Sequence, residues 1–187
     1  MDMVIDWLQA TLRWSAPLIL VSIGEVYSER AGVINMGIEG IMLSGALCGV
    51  AVSFYTGNVF VSLLVTMLLG AIMGTAVAYL TVSRRANQVV TGLMVNMLAM
   101  GGTNLLFALL SGSRHERVAT FPTLFPESFY DIPVVGKILF QQPVSTWIAL
   151  VLPIVAGIIL YRTKWGLSVR AVGDNPQSAA TAGLSVI

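Results

Sequence analysis

Two polar clusters in this chain could act on something other than lipid. The first is Glu29-Arg30-Ala31-Gly32-Val33-Ile34-Asn35-Met36-Gly37-Ile38-Glu39-Gly40. It sets a carboxamide and a carboxylate among three glycines. Glycine permits a helix to break, and the freed backbone groups then need protein or a water-lined space around them. A carboxylate at membrane depth should face a cavity or a partner. A simple turn is the competing reading, with Glu39 favoured near a helix N-terminus. The second cluster is Gln88, Thr91, Asn96, Thr103 and Asn104, spread along an apolar run. Such residues either hydrogen-bond to neighbouring helices, at about 1 kcal/mol each, or line a path for a polar solute. Asn35, Glu39, Gln88, Thr91 and Asn96 are the candidates to line such a path.

Nothing resembles a catalytic set. No Ser/His/Asp arrangement or carboxylate pair with a catalytic setting can be assembled, so an enzyme is not expected. His115 stands alone in Arg114-His115-Glu116-Arg117. Without a second histidine or cysteine nearby it reads as a solvated loop residue, and no metal site is expected. The single cysteine, Cys48, excludes an internal disulfide. No Gly-x-x-x-x-Gly-Lys-Ser/Thr loop occurs, so any ATP must be hydrolysed by another chain.

The elements that carry these clusters are membrane helices. Of 187 residues, 56% are hydrophobic and 10% charged, with mean hydropathy +0.84. Soluble domains average about 25% charged residues, so the fold class is an all-α integral membrane protein. A net charge of +1 points to no nucleic acid. The N-terminus lacks the basic start and small-residue cleavage site of a secretory signal. Five hydrophobic segments are read at about 7–27, 38–55, 59–82, 88–111 and 144–162, with Pro17 and Pro153 inside the first and last. At about 1.5 Å per residue, roughly 20 residues cross a 30 Å hydrocarbon core. The second segment is short by this measure. Either it is a short span or it recruits residues 31–37 as an irregular half, an interrupted helix. Gly45-x-x-x-Gly49 and Gly70-x-x-x-Gly74 read as ordinary helix packing.

Basic residues set the direction. Arg84 and Arg85 follow the third segment, and Arg162, Lys164 and Arg170 follow the fifth. The positive-inside rule puts both groups in the cytoplasm. The N-terminus is then outside, residues 112–143 form a folded extracytoplasmic loop, and 163–187 are cytoplasmic. The whole chain, 1–187, reads as one transmembrane domain.

The last stretch, residues 165–184, is polar, rich in small residues and punctuated by turns. Its Arg170-Ala171-Val172-Gly173-Asp174-Asn175-Pro176, followed by Ala179-Ala180-Thr181-Ala182-Gly183, resembles the cytoplasmic coupling segment of permease subunits in bacterial ABC importers. The group is the one serving ribose-type sugars, nucleosides and branched-chain amino acids. Residues 29–40 narrow the resemblance to the nucleoside and simple-sugar permeases, and Ala86-Asn87-Gln88-Val89-Val90-Thr91-Gly92-Leu93-Met94-Val95-Asn96 is similar to one of their paired subunits. The similarity covers essentially the whole chain.

The resemblance implies a permease subunit that translocates nucleosides or related simple sugars across a bacterial cytoplasmic membrane. It implies a second, homologous permease, a cytoplasmic ATPase that uses ATP and Mg, and an extracytoplasmic receptor lipoprotein, with no cofactor held by this chain. The coupling helix carries the implied ATPase contacts: Arg170, Ala171, Gly173, Asp174, Asn175, Pro176, Ala179 and Ala180. Physically, Asp174-Asn175-Pro176 can turn the chain and start a helix, with Asp or Asn as cap and Pro in the first turn. The break at 32–40 resembles an interrupted second helix beside the translocation path. Complete members continue with further spans, so the chain is read as a C-terminally truncated member. An ion-coupled secondary transporter would need intramembrane ionisable residues, and only Arg13 and Glu39 stand out. A non-transporting membrane fragment is the third reading.

Overall fold

The computed structural model describes residues 2–111, 120–126 and 136–184. These are helical almost throughout. Helix α1 is Asp2–Arg30, α2 Ile38–Thr56, α3 Val59–Ala78, α4 Gln88–Ser111 and α5 Val144–Arg162, followed by the shorter α6 (Lys164–Asp174) and α7 (Pro176–Thr181). A π-helical turn, Tyr79–Ser83, prolongs α3. Another covers Gly136–Phe140.

The α2, α3, α4 and α5 helices are long and apolar enough to cross a membrane, with α3 counted through Ser83. Helix α1 has 29 residues, about 43 Å at 1.5 Å per residue. It is more polar, carrying Gln9, Arg13, Ser15, Ser22 and Glu25. Its hydroxyls turn back onto its own backbone. Thr11 Oγ1 donates to the Trp7 carbonyl (2.8 Å) and Ser22 Oγ to that of Leu18 (2.8 Å). That pattern satisfies a hydroxyl without any outside partner.

The chain separates into two compact units. The first is Met1–Tyr27 with Phe121–Val169. In it Ala16 of α1 and Ala149, Ala156 and Leu160 of α5 are buried. The Tyr27 hydroxyl donates to the Ala156 carbonyl at 2.7 Å. At the other end Gln142, almost fully buried, donates to the carbonyls of Gln9 (3.1 Å) and Ile138 (3.0 Å). Phe125 packs edge-on against Phe140 and Trp147, at 4.8 and 5.4 Å between ring centres. Thr123 pairs with Pro143 in an antiparallel bridge. The described parts of the loop at 112–143 are therefore folded, while residues 112–119, with Arg114 to Arg117, and 127–135 lie outside the described residues.

The second unit is Ser28–Thr120 with Arg170–Ile187. Its α2 and α3 form a hairpin joined by Gly57 and Asn58 alone. Gly57 takes φ 63° as a left-handed C-cap, with its N–H on the Ser53 carbonyl. The Asn58 side chain caps α3 by accepting from Phe60 N at 2.9 Å. Glycine ends a helix and asparagine starts one for the reasons that make them common at these positions. Ser62 Oγ donates to the Gly49 carbonyl at 2.6 Å. A Cβ at Gly45 or Gly49 would lie 3.4 or 3.3 Å from Thr66. The first small-residue pair is thus helix packing, as expected. Among the described residues, nothing outside the local helix backbone lies within 4 Å of a Cβ built at Gly70 or Gly74.

The irregular half expected for the second span lies at residues 31–37, between α1 and α2, and α2 is continuous from Ile38 to Thr56. The single expected coupling helix is two helices, α6 and α7.

Candidate functional site

Helix α1 ends in a motif that reverses the chain tightly. Val33 N donates to the Ser28 carbonyl (3.0 Å) and Gly32 N to that of Glu29 (2.9 Å), with Gly32 at φ 88°. These are the two bonds of a Schellman cap, and glycine supplies its left-handed residue. Ser28 Oγ closes the turn by donating to the Val33 carbonyl at 2.7 Å.

Helix α4 supplies further partners to the seven residues that follow α1. Gln88 Oε1 accepts from Ile34 N at 3.0 Å. Asn96 Oδ1 accepts from Gly40 N at 2.8 Å, while its Nδ2 donates to the Met36 carbonyl at 3.0 Å. Gly37, the N-cap of α2, has no side-chain cap of its own. Asn96 therefore caps α2 from another helix. Asn35 Oδ1 makes a local turn by accepting from Gly37 N at 3.1 Å. The fit is close enough to require glycines on both sides. A Cβ at Gly92 would lie 2.7 Å from Gly37 N, and one at Gly40 would lie 2.8 Å from the Val95 carbonyl oxygen.

Of the five candidate path residues, Asn35, Gln88 and Asn96 thus meet at the 31–40 segment, and Thr91 is buried on the same stretch of α4. Glu39 lies exposed in the first turn of α2. The acceptor oxygens of Asn35, Gln88 and Asn96 are all occupied by backbone amides. Farther along α4, Thr103 Oγ1 turns back to the Ala99 carbonyl at 2.6 Å. Thr103, Asn104 and Phe107 border a cavity of about 300 Å³ with Leu43, Ala46, Leu47 and Val50 of α2.

The tail is built by two caps. Thr163 ends α5 in extended conformation, and its Oγ1 accepts from Gly166 N at 3.1 Å, starting α6. A Cβ at Gly166 would lie 2.5 Å from the Ile159 carbonyl oxygen, so the corner demands glycine. Asn175 caps α7 by accepting from Ser178 N at 3.0 Å, with Pro176 in the first turn. Arg170, Ala171 and Gly173 lie half-buried on α6. Asp174, Asn175, Pro176 and Ala180 are exposed, and Ala179 is buried. Gly173 rests on the α1 turn: a Cβ there would overlap the Arg30 carbonyl oxygen and lie 3.0 Å from Gly32 N.

The sequence that folds in this way matches one protein family. The family model described as branched-chain amino acid transport system / permease component matches residues 8–187. The chain belongs to this family. It is 38% identical to the guanosine ABC transporter permease protein NupQ of Bacillus subtilis, over 95% of this chain and 58% of that protein. It is 36% identical to a putative glucose ABC transporter permease protein of Haloferax volcanii, over 96% of this chain and 55% of that protein. It is 37% identical to the nucleoside ABC transporter permease protein NupC of Lactococcus lactis, over 94% and 58%. The chain thus spans a little over half the length of the curated relatives it matches. No solved structure matches it. As a permease component it is a membrane protein and not itself an enzyme.

The contacts at Gly32, Gly92 and Gly173, and the caps from Thr163 and across from α4, were not read from the sequence. Gly92 and Asn96 stand four apart, one helical face, and that spacing was the available signal.

Proposed function

We propose that this permease component belongs to an ABC importer that carries nucleosides, or related simple sugars, across a bacterial cytoplasmic membrane. The observation that carries this reading is the tail. A capped corner at the foot of α5 leads into two short helices whose junction exposes Asp174, Asn175, Pro176 and Ala180. That junction is the docking element for a separate cytoplasmic ATPase, which binds the ATP and Mg. Arg170, Ala171, Gly173 and Ala179 support it from within. The names of the relatives favour nucleosides first and sugars second.

A second homologous permease completes the pore, and a receptor lipoprotein delivers solute from outside. The arginines at 84 and 85 and the Arg162, Lys164 and Arg170 group face the cytoplasm by the positive-inside rule, which leaves the N-terminus and residues 112–143 outside. Asn35, Gln88 and Asn96 hold the non-helical 31–37 segment in the shape that borders the path, and Thr91 lies buried between Gln88 and Asn96 on α4. Glu39, the exposed carboxylate of the set, faces its water-filled part, since a charge at membrane depth requires one.

Co-purification tests the reading. The wild-type permease should retain an ATPase, and Asp174→Pro or Asn175→Pro, which breaks the α6–α7 junction, should lose it. Uptake of labelled nucleoside should stop on ATP depletion. Uptake that survives depletion, with no ATPase retained, overturns the reading in favour of an ion-coupled carrier.

A further inference from the structure

The α6–α7 junction and the α1 turn touch backbone to backbone. At Gly173 a Cβ would lie 2.9 Å from the Arg30 carbonyl carbon and 3.0 Å from Gly32 N; at Gly32 one would lie 3.3 Å from Gly173 Cα. There is no side chain between them to bend or rotate. A contact of this kind moves as a solid, because tightly packed atoms transmit displacement instead of absorbing it. The turn it presses on is itself stiff, closed by the two Schellman bonds and Ser28 Oγ. One residue beyond, Ile34 N is held by Gln88 at the start of α4. Four and eight residues farther along α4, Gly92 and Asn96 grip Met36, Gly37 and Gly40.

We propose that the Gly32–Gly173 contact is a mechanical joint: displacement of α6–α7 displaces the 30–37 turn, and through it the first turns of α4 and α2. Its role in transport rests on the reading of α6–α7 as the ATPase-docking element. The joint assigns Gly32 and Gly173 as positioning residues, and gives the amides of Gln88 and Asn96 a purpose other than contact with solute. Motion of the ATPase then reaches α4 through the 30–37 turn.

Two measurements test it, on Gly173→Ala, Gly32→Ala and the double variant. Gly57→Ala is the control, because Gly57 also has positive φ (63°) but no neighbour within 4 Å. The first is amide hydrogen exchange of the purified permease without any ATPase. Overpacking the joint should speed exchange at residues 33–40 by about tenfold, and Gly57→Ala should leave them unchanged. The second is uptake per ATP hydrolysed in the reconstituted transporter. It should fall by about tenfold with the ATPase still bound, and the double variant should be no worse than either single one, as for two halves of one contact. If Gly173→Ala fails to reach the membrane, Gln88→Met removes the bond to Ile34 without crowding and should reproduce both effects in weaker form. Wild-type exchange at 33–40 in the variants that fold, or singles whose effects multiply in the double, overturns the joint. A wild-type permease that retains no ATPase overturns the functional reading instead, and the exchange result then decides the joint by itself.

Discussion

Asn96 shows how one side chain can hold an irregular segment inside a bundle. It answers an orphan amide at the start of α2 and an orphan carbonyl ahead of it, both with good geometry. Away from water, an unmet backbone group is costly, and Asn96→Leu leaves two of them. The substitution should lower stability by roughly 1–3 kcal/mol, seen as a reduced melting temperature in detergent and faster exchange at Gly40. Asn175 does a similar job locally. Asn175→Ala removes the α7 cap and should cost about 1 kcal/mol, with exchange rising at Ser178 while α1 to α5 are unchanged. The two asparagines were unequally legible. Asn175 followed by Pro176 announces a helix start within four residues, and the structure has it there. Asn96 caps a helix that begins 58 positions earlier in the chain, beyond the reach of any local rule. Gln88 was singled out for its polarity, yet its partner Ile34 is an apolar residue contributing only its backbone.

At the scale of elements, the helices themselves were the readable part. Segments expected at 38–55, 88–111 and 144–162 correspond to Ile38–Thr56, Gln88–Ser111 and Val144–Arg162. Apolar runs bounded by glycine, asparagine and proline leave little freedom in where such helices begin and end. The ends that went unread are those where the chain turns by unusual backbone. Between α3 and α4 a π-helical turn, with Arg84 N on the Tyr79 carbonyl, leads to Arg85 at φ 53°. Arginine has no special liking for that region, so nothing in its identity foretells it. Packing separates the two small-residue pairs. Gly45→Leu should disrupt the α2–α3 hairpin by roughly 1–3 kcal/mol, measured as loss of thermal stability. Gly70→Leu, facing open space in this chain, should leave that stability unchanged.

For the whole molecule, composition placed the chain in a membrane, with which family membership agrees, and the basic residues carry the proposal of its direction. The direction is open to a direct check. With Cys48 replaced by Ser, a single cysteine at Arg85 or at Thr181 should react with a membrane-impermeant maleimide only in inverted vesicles, and one at Asp6 only in intact cells. Labelling of Asp6 and Thr181 from the same side would overturn the proposal that α1 crosses the membrane as well as the four helices α2 to α5. The second unit also has an architectural consequence at Gly57 and Asn58. Two residues form too short a tether for one helix to settle in the bilayer while its neighbour waits in water. During synthesis α2 and α3 must therefore be handed to the lipid as a pair, and a tag or loop inserted between them would convert that single handover into two.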